Sequence, residues 1–236
     1  MRNLGNKVRA MMKGALRRTP LPPLLLLEKA CWGLRFNEWL RKTACEGVPY
    51  FQRRFDLYAY LSQFVLKGVA IDYLEFGVAT GESIREWIRL NTHARSRFFG
   101  FDTFEGLPEA WKHVGGSVPK GTFSTNGQPP LVENEPRVKF VKGLFQDTIP
   151  GFAQAFQPRS QLVLHMDADL HSSTLYVLAS LNQLIGPGAI VLFDEFDSFD
   201  DEFRALDDFV SAFRKDYCVL GCSGKSYAQV AIQFRR

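Results

Sequence analysis

From residue 71 to the C-terminus, strand-length apolar runs alternate with helical stretches, and this rhythm constrains the chain more than any other feature. The runs are Ile71–Phe76, Arg97–Phe101, Val138–Val141, Leu162–Met166, Ala189–Phe193, Cys218–Gly221 and Val230–Phe234. Strands alternating with helices imply βαβ units, hence a parallel sheet with helices on both faces. The last two runs have only Cys222–Gln229 between them. That is too short for a crossover, so they are expected to form a hairpin that adds one antiparallel strand. The expected fold is a doubly wound α/β domain with a mostly parallel, seven-stranded sheet.

The first 68 residues have a different character. Residues 1–18 place Leu4, Val8, Met11, Met12, Ala15 and Leu16 on one helical stripe among basic residues, and Pro20, Pro22 and Pro23 stop it. Two further helical stretches follow, about 24–46 and 50–67. In the second, Phe51, Phe55, Tyr58, Leu61 and Val65 recur at three- and four-residue steps, and Gly68 offers a C-cap. The chain is therefore read as a basic arm and helical extension, 1–68, before an α/β domain, 69–236.

Charge narrows the partners. The net charge is +4, yet Arg2, Lys7, Arg9, Lys13, Arg17 and Arg18 precede the first acid, Glu28, leaving 23 basic against 25 acidic residues in the remainder. The basicity belongs to the arm, and a nucleic-acid-binding surface on the domain is not supported. Such an arm could contact an anionic membrane surface, close over the site, or be a solvated leader. The apolar run Leu24–Leu27 falls far short of the ~20 residues a spanning helix needs, so a cytoplasmic protein is expected. Four cysteines are too few and too scattered for a disulfide framework, and the Cys218/Cys222 pair lacks a second pair at zinc spacing.

In an open parallel sheet, ligands bind beyond the carboxyl ends of the strands, where the strand order reverses. The first strand runs into Glu75-Phe-Gly77-Val-Ala-Thr-Gly81-Glu-Ser83. Gly77 and Gly81 permit a tight turn and close backbone approach, and the helix N-terminus beyond favours a ligand carboxylate. Glu75 could take a ligand ammonium or pin the loop. The glycine spacing fits neither the dinucleotide fingerprint nor the phosphate P-loop, and an ordinary strand–helix turn is the plainer alternative. Asp102, after the second strand, is placed to accept both hydroxyls of a ribose, or else to cap a helix. After the third strand, Phe145 could face an adenine ring while Gln146 and Asp147 bond its edge.

The fourth strand ends in Asp167-Ala168-Asp169 and the fifth in Asp194-Glu195. In an extended segment Asp167 and Asp169 point to the same side, and neighbouring strands lie ~4.8 Å apart, so these carboxylates converge. Crowded carboxylates raise each other's pKa unless a cation compensates, and oxygen-only ligands suit Mg²⁺, Mn²⁺ or Ca²⁺. Asp167, Asp194 and Glu195 are the expected metal ligands. Asp169 is the expected base and His171 a second candidate. His165, within its strand, is expected to be a buried, hydrogen-bonded histidine. The stretch from Pro108 to Pro136, rich in Gly and Pro, is expected to cover the site as a lid.

Five segments together resemble the macrocin O-methyltransferase family, within the class I methyltransferases that use S-adenosylmethionine (SAM). They are Tyr73 to Ser83, Phe99 to Pro108, Gly143 to Pro150, His165 to Leu170 with Ser173-Thr174, and Phe193 to Phe196. Each alone is weak, but five in order are specific. The resemblance implies SAM as methyl donor, a divalent cation (usually Mg²⁺) and O-methylation of sugar hydroxyls in natural products. By position, Asp167, Asp194 and Glu195 fall where that family binds metal, and Asp169 on its base. Glu195 stands where a second Asp is frequent, and His171 where Tyr is frequent. The expected partner is a small-molecule hydroxyl acceptor; a homo-oligomer is left open. A catechol or phenol acceptor, a SAM-binding protein without turnover and a nicotinamide-dependent sugar enzyme are the rival readings.

Overall fold

The computed structural model describes residues 21–45, 47–113 and 116–235; the amphipathic arm expected at 1–18 lies outside them. Helix α1 (Leu21–Cys45) comes first, then a two-residue strand β1 (Tyr50–Phe51) and helix α2 (Arg54–Tyr60), which widens into a π-helical turn over Leu61–Leu66. It ends where Lys67 and Gly68 both take left-handed dihedrals, as the Gly68 stop signal suggests. Then follow β2 (Ile71–Phe76), α3 (Glu82–Leu90), β3 (Arg97–Asp102), β4 (Trp111–His113), β5 (Gly116–Val118), β6 (Val138–Lys142), α4 (Phe145–Ala155) and β7 (Gln161–Met166). The chain finishes with α5 (His171–Ser180), β8 (Ile190–Phe193), α6 (Glu202–Phe213), β9 (Tyr217–Ser223) and β10 (Gln229–Phe234).

The main sheet has the order β1-β9-β10-β8-β7-β2-β3-β6. Strands β6, β3, β2, β7 and β8 are mutually parallel, while β10 runs antiparallel to both β8 and β9. All seven expected strands are present, and the terminal pair forms the expected hairpin. The eighth, β1, falls where a helix is expected from Tyr50. Its pairing is parallel to β9, with Cys222 N–H donating to the Pro49 carbonyl (2.9 Å) and Gly224 N–H to that of Phe51 (3.1 Å). An edge strand with unpaired backbone groups recruits whatever extended segment passes beside it, and no local periodicity reports that.

The sheet separates two apolar layers. Leu74, Phe76, Leu164, Met166, Val191 and Phe193 face α4, α5 and α6 on one side, and Tyr73, Val163 and Leu192 face α2 and α3 on the other. Helix α1 lays Phe36 and Trp39 onto Phe196 and Phe203 through T-shaped and tilted ring contacts. Many of the chain's 21 phenylalanines pack into these two layers. No helix among the described residues is long and apolar enough to cross a membrane.

Candidate active site

Strand order reverses between β2 and β7: from β2 the chain builds outward through β3 to β6, then returns to β7 and builds the other way. The tips of β2 and β7 therefore border a crevice. A cavity of about 680 Å³ opens there, a size suited to a nucleoside-bearing cofactor and part of an acceptor.

The glycine loop forms one wall. Gly77 has φ +91°, and a Cβ on it would stand 1.7 Å from the Asp167 carbonyl oxygen. Only glycine lets β2 and β7 tips close to this distance. Gly77→Ala is expected to lower stability by about 3 kcal/mol, from left-handed strain plus backbone displacement. Urea unfolding measures it; a change under 1 kcal/mol would contradict the packing. Gly81, φ +78°, lies under Pro130.

Asp102 lines the cavity, and its carboxylate also holds the loop. Oδ2 accepts N–H bonds from Val78 and Ala79, both at 2.8 Å, and Oδ1 accepts one from Phe104 at 2.7 Å. Ser83, Phe145 and Gln146 line the cavity too. Glu75 and Asp147 are not among its lining residues. Glu75 is buried and accepts a hydrogen bond from the Tyr73 hydroxyl, and Asp147 sits in the first turn of α4.

The acids supply the opposite wall: Asp167, Asp169, Asp194 and Glu195 all line the cavity. Ligand atoms of Asp167, Asp194 and His165 lie within 4.8 Å of one another. Glu195, the next residue after Asp194, lies outside that compact group. Past Asp167 the segment is not extended, contrary to the expectation from sequence, because Asp169 takes φ +58° and Leu170 N–H bonds the Ala168 carbonyl at 2.6 Å. The tight turn keeps Asp169 in the cavity at the cost of left-handed strain, of a kind that clusters at functional sites. His171 is not brought to the cavity; it opens α5 and bonds Asp208 of α6 at 3.0 Å.

Behind Asp194 lies a polar network that sequence reasoning did not find. The Tyr58 hydroxyl donates to Asp194 Oδ1 at 3.1 Å, and Arg54 Nη1 donates to Oδ2 at 3.1 Å. His165 is fully buried, with Nδ1 2.7 Å from the Tyr73 hydroxyl and Nε2 3.3 Å from that of Tyr58. Both phenols give their single proton to a carboxylate, so both imidazole nitrogens must donate. Burial opposes that charge, but Asp194 and Glu75 outweigh it and hold the His165 pKa up at about 10. Burial likewise opposes charge on Asp194, yet His165, Arg54 and Tyr58 bring its pKa below the usual carboxylate value.

The remaining acids move the other way. Burial, then repulsion from Asp194, raises Asp167 well above its ordinary value and pushes Asp169 up to about 7 and Glu195 to about 8. Glu202 of α6, fully buried, feels the same field: burial first, then repulsion from Asp167, Glu195 and Asp194, raises it well above its ordinary value. One of its oxygens accepts from Glu195 N–H at 3.0 Å, and the other has no hydrogen-bond partner among the described residues. Carboxylates this crowded fit a divalent cation, which would offset their repulsion.

The 108–136 stretch is more ordered than expected, carrying the antiparallel ribbon β4–β5. Six residues in two three-residue strands are too few for a periodic signal. Pro108, Glu109, Trp111 and Phe123 line the cavity from this stretch. It docks on the body through Trp111 Nε1 to Asp201 Oδ2 at 2.8 Å and Ser172 Oγ to Glu109 Oε1 at 3.2 Å. Lys29 of α1 pairs with Asp200 and donates to the Lys112 carbonyl at 3.2 Å.

This sheet, with a glycine loop and clustered acids at its switch point, has the class I O-methyltransferase fold. Within it, residues 130–216 match the macrocin-O-methyltransferase (TylF) family model, and over that stretch the chain is macrocin O-methyltransferase-like. It is 30% identical over 167 residues to 8-demethyl-8-(2,3-dimethoxy-alpha-L-rhamnosyl)-tetracenomycin-C 4'-O-methyltransferase of Streptomyces olivaceus. That match covers 61% of this chain and 60% of the relative, so the chain matches less than two thirds of its length. Among solved structures, the calicheamicin methyltransferase CalS11 superposes with TM-score 0.57 at 21% identity, covering 97% of this chain and 91% of that one. The O-methyltransferase NovP gives 0.55 at 21% identity, covering 78% and 80%.

Proposed function

We propose that this protein moves the methyl group of SAM to a hydroxyl of a small molecule, a sugar or glycosylated natural product, with help from a divalent cation. The observation that carries the reading is the meeting of Asp167 and Asp194 within 4.8 Å at the switch-point crevice. The relative's rhamnose-bearing substrate supports the sugar class. On this reading residues 69–236 form the methyltransferase domain, and the 1–68 extension supplies part of the site.

The glycine loop holds the cofactor's amino-acid end, and Asp102 serves its ribose while fixing that loop. Phe145 and Gln146 take the adenine. The acceptor lies under the 108–136 stretch. Its oxygen attacks the methyl carbon in line, the carbon–sulfur bond breaks with its electron pair going to sulfur, and the hydroxyl proton passes to Asp169. With a pKa about 7, Asp169 is matched to accept a proton near neutrality. When bound to Asp167, Asp194 and Glu195, a cation such as Mg²⁺ would make the acceptor hydroxyl more acidic. Asp194, held ionised by His165 and Arg54, is the anchor of that set.

Incubation with methyl-labelled SAM and a panel of deoxysugar glycosides and catechols tests this. Label is expected in a sugar acceptor, lost with a chelator and restored by Mg²⁺. Transfer to catechols alone would overturn the acceptor class, and undiminished transfer under chelation would overturn the cation's role.

A further inference from the structure

We propose that Arg54 is the anion-binding residue of the cavity, holding the carboxylate at the amino-acid end of SAM beside the first turn of α3. The inference rests on the SAM reading and names a residue of the N-terminal extension that no motif marks.

Among the described lining residues Arg54 is the one cation, and every other charged one is acidic. SAM carries two positive centres, the sulfonium and the ammonium, and one negative centre, the carboxylate. Acidic side chains attract the first two and repel the third, and Arg54 is the side chain among the described lining residues that attracts it. The guanidinium stands where that group would arrive: it opens α2, and its Nη2 donates to Glu82 Oε2 at 2.6 Å, in the first residue of α3. Ser83, the next residue, lines the cavity with its hydroxyl beside Tyr58.

Two properties make Arg54 free to exchange partners. The Glu82 side chain is 64% exposed, so that pair is screened by water and easily replaced. The bond to the buried Asp194 fixes the orientation of the fork, and the fork carries five N–H donors, enough for a further carboxylate.

Calorimetry with SAM and with decarboxylated SAM, which keeps the sulfonium and amine, isolates the carboxylate. The wild type is expected to prefer SAM. In Arg54→Gln, SAM affinity should fall roughly 10- to 100-fold, the span of a charged hydrogen-bonded pair, with decarboxylated SAM bound within about threefold of wild type. Equal losses for both ligands, or none for either, would overturn the proposal. Should Arg54→Gln not fold, Arg54→Lys decides: a point charge without the fork should erode the preference for SAM, and an unchanged preference refutes the assignment. A wild type that binds neither ligand would refute the SAM reading itself and the proposal with it.

Discussion

Asp167→Asn is expected to lower turnover on the order of 10³-fold or more while leaving the fold intact. Asp167 lies at the β7 tip within reach of Asp194, with both carboxylates lining the cavity. Removing it takes away charge stabilisation at the reacting oxygen, where such contacts contribute most. Stability should move in the opposite direction. Asp167 is half-buried, and desolvation followed by repulsion from Asp194 raises its pKa, so neutralising it relieves both in the cation-free protein. Thermal melting of wild type should rise with Mg²⁺, by about 2.7 kcal/mol of added stability at a hundredfold excess over Kd, and the variant should lose that increment. A variant that turns over within tenfold of wild type, or melts higher with Mg²⁺ as wild type does, would remove the cation site.

Asp169→Asn is expected to lower kcat by roughly 10²- to 10⁴-fold, the range of a lost general base. SAM affinity and the Mg²⁺-dependent rise in melting temperature should stay close to wild type, because the proposed role of Asp169 is to take the hydroxyl proton and not to hold the cation. That separation of effects is what distinguishes a base from a ligand. Asn also tolerates left-handed dihedrals well, so the turn at φ +58° should survive the change. Steady-state kinetics with saturating SAM decides it: a kcat within a few-fold of wild type would transfer the proton-accepting role elsewhere. His171→Ala is the natural companion variant. Its bond to Asp208 predicts little effect on chemistry.

The seven main-sheet strands from residue 71 onward were legible because each packs into the sheet's apolar layers and reads as an apolar run bounded by turn residues. The glycine loop and the acids at the tips of β7 and β8 were legible for a related reason, since switch-point chemistry occupies fixed positions after strands. Strand β1 was not, because two residues pair only where β9 happens to offer an open edge. The β4–β5 ribbon was equally silent. Asp169 was read as extended alongside Asp167, and only the tight turn at Ala168–Leu170 shows otherwise. His171, adjacent in sequence to the acids, pointed the wrong way because the first residue of a helix can face either neighbour.

The sequence alone determined the layered α/β architecture, the order of its strands along the chain and the acids placed at their tips, since burial writes a periodic signal into local residues. Tertiary structure decided which distant groups share a volume. Arg54 and Tyr58 from α2 and His165 from inside β7 surround Asp194 without any common spacing. Their influence is electrostatic and acts across a few ångströms of low-dielectric interior, a distance that has no counterpart along the chain.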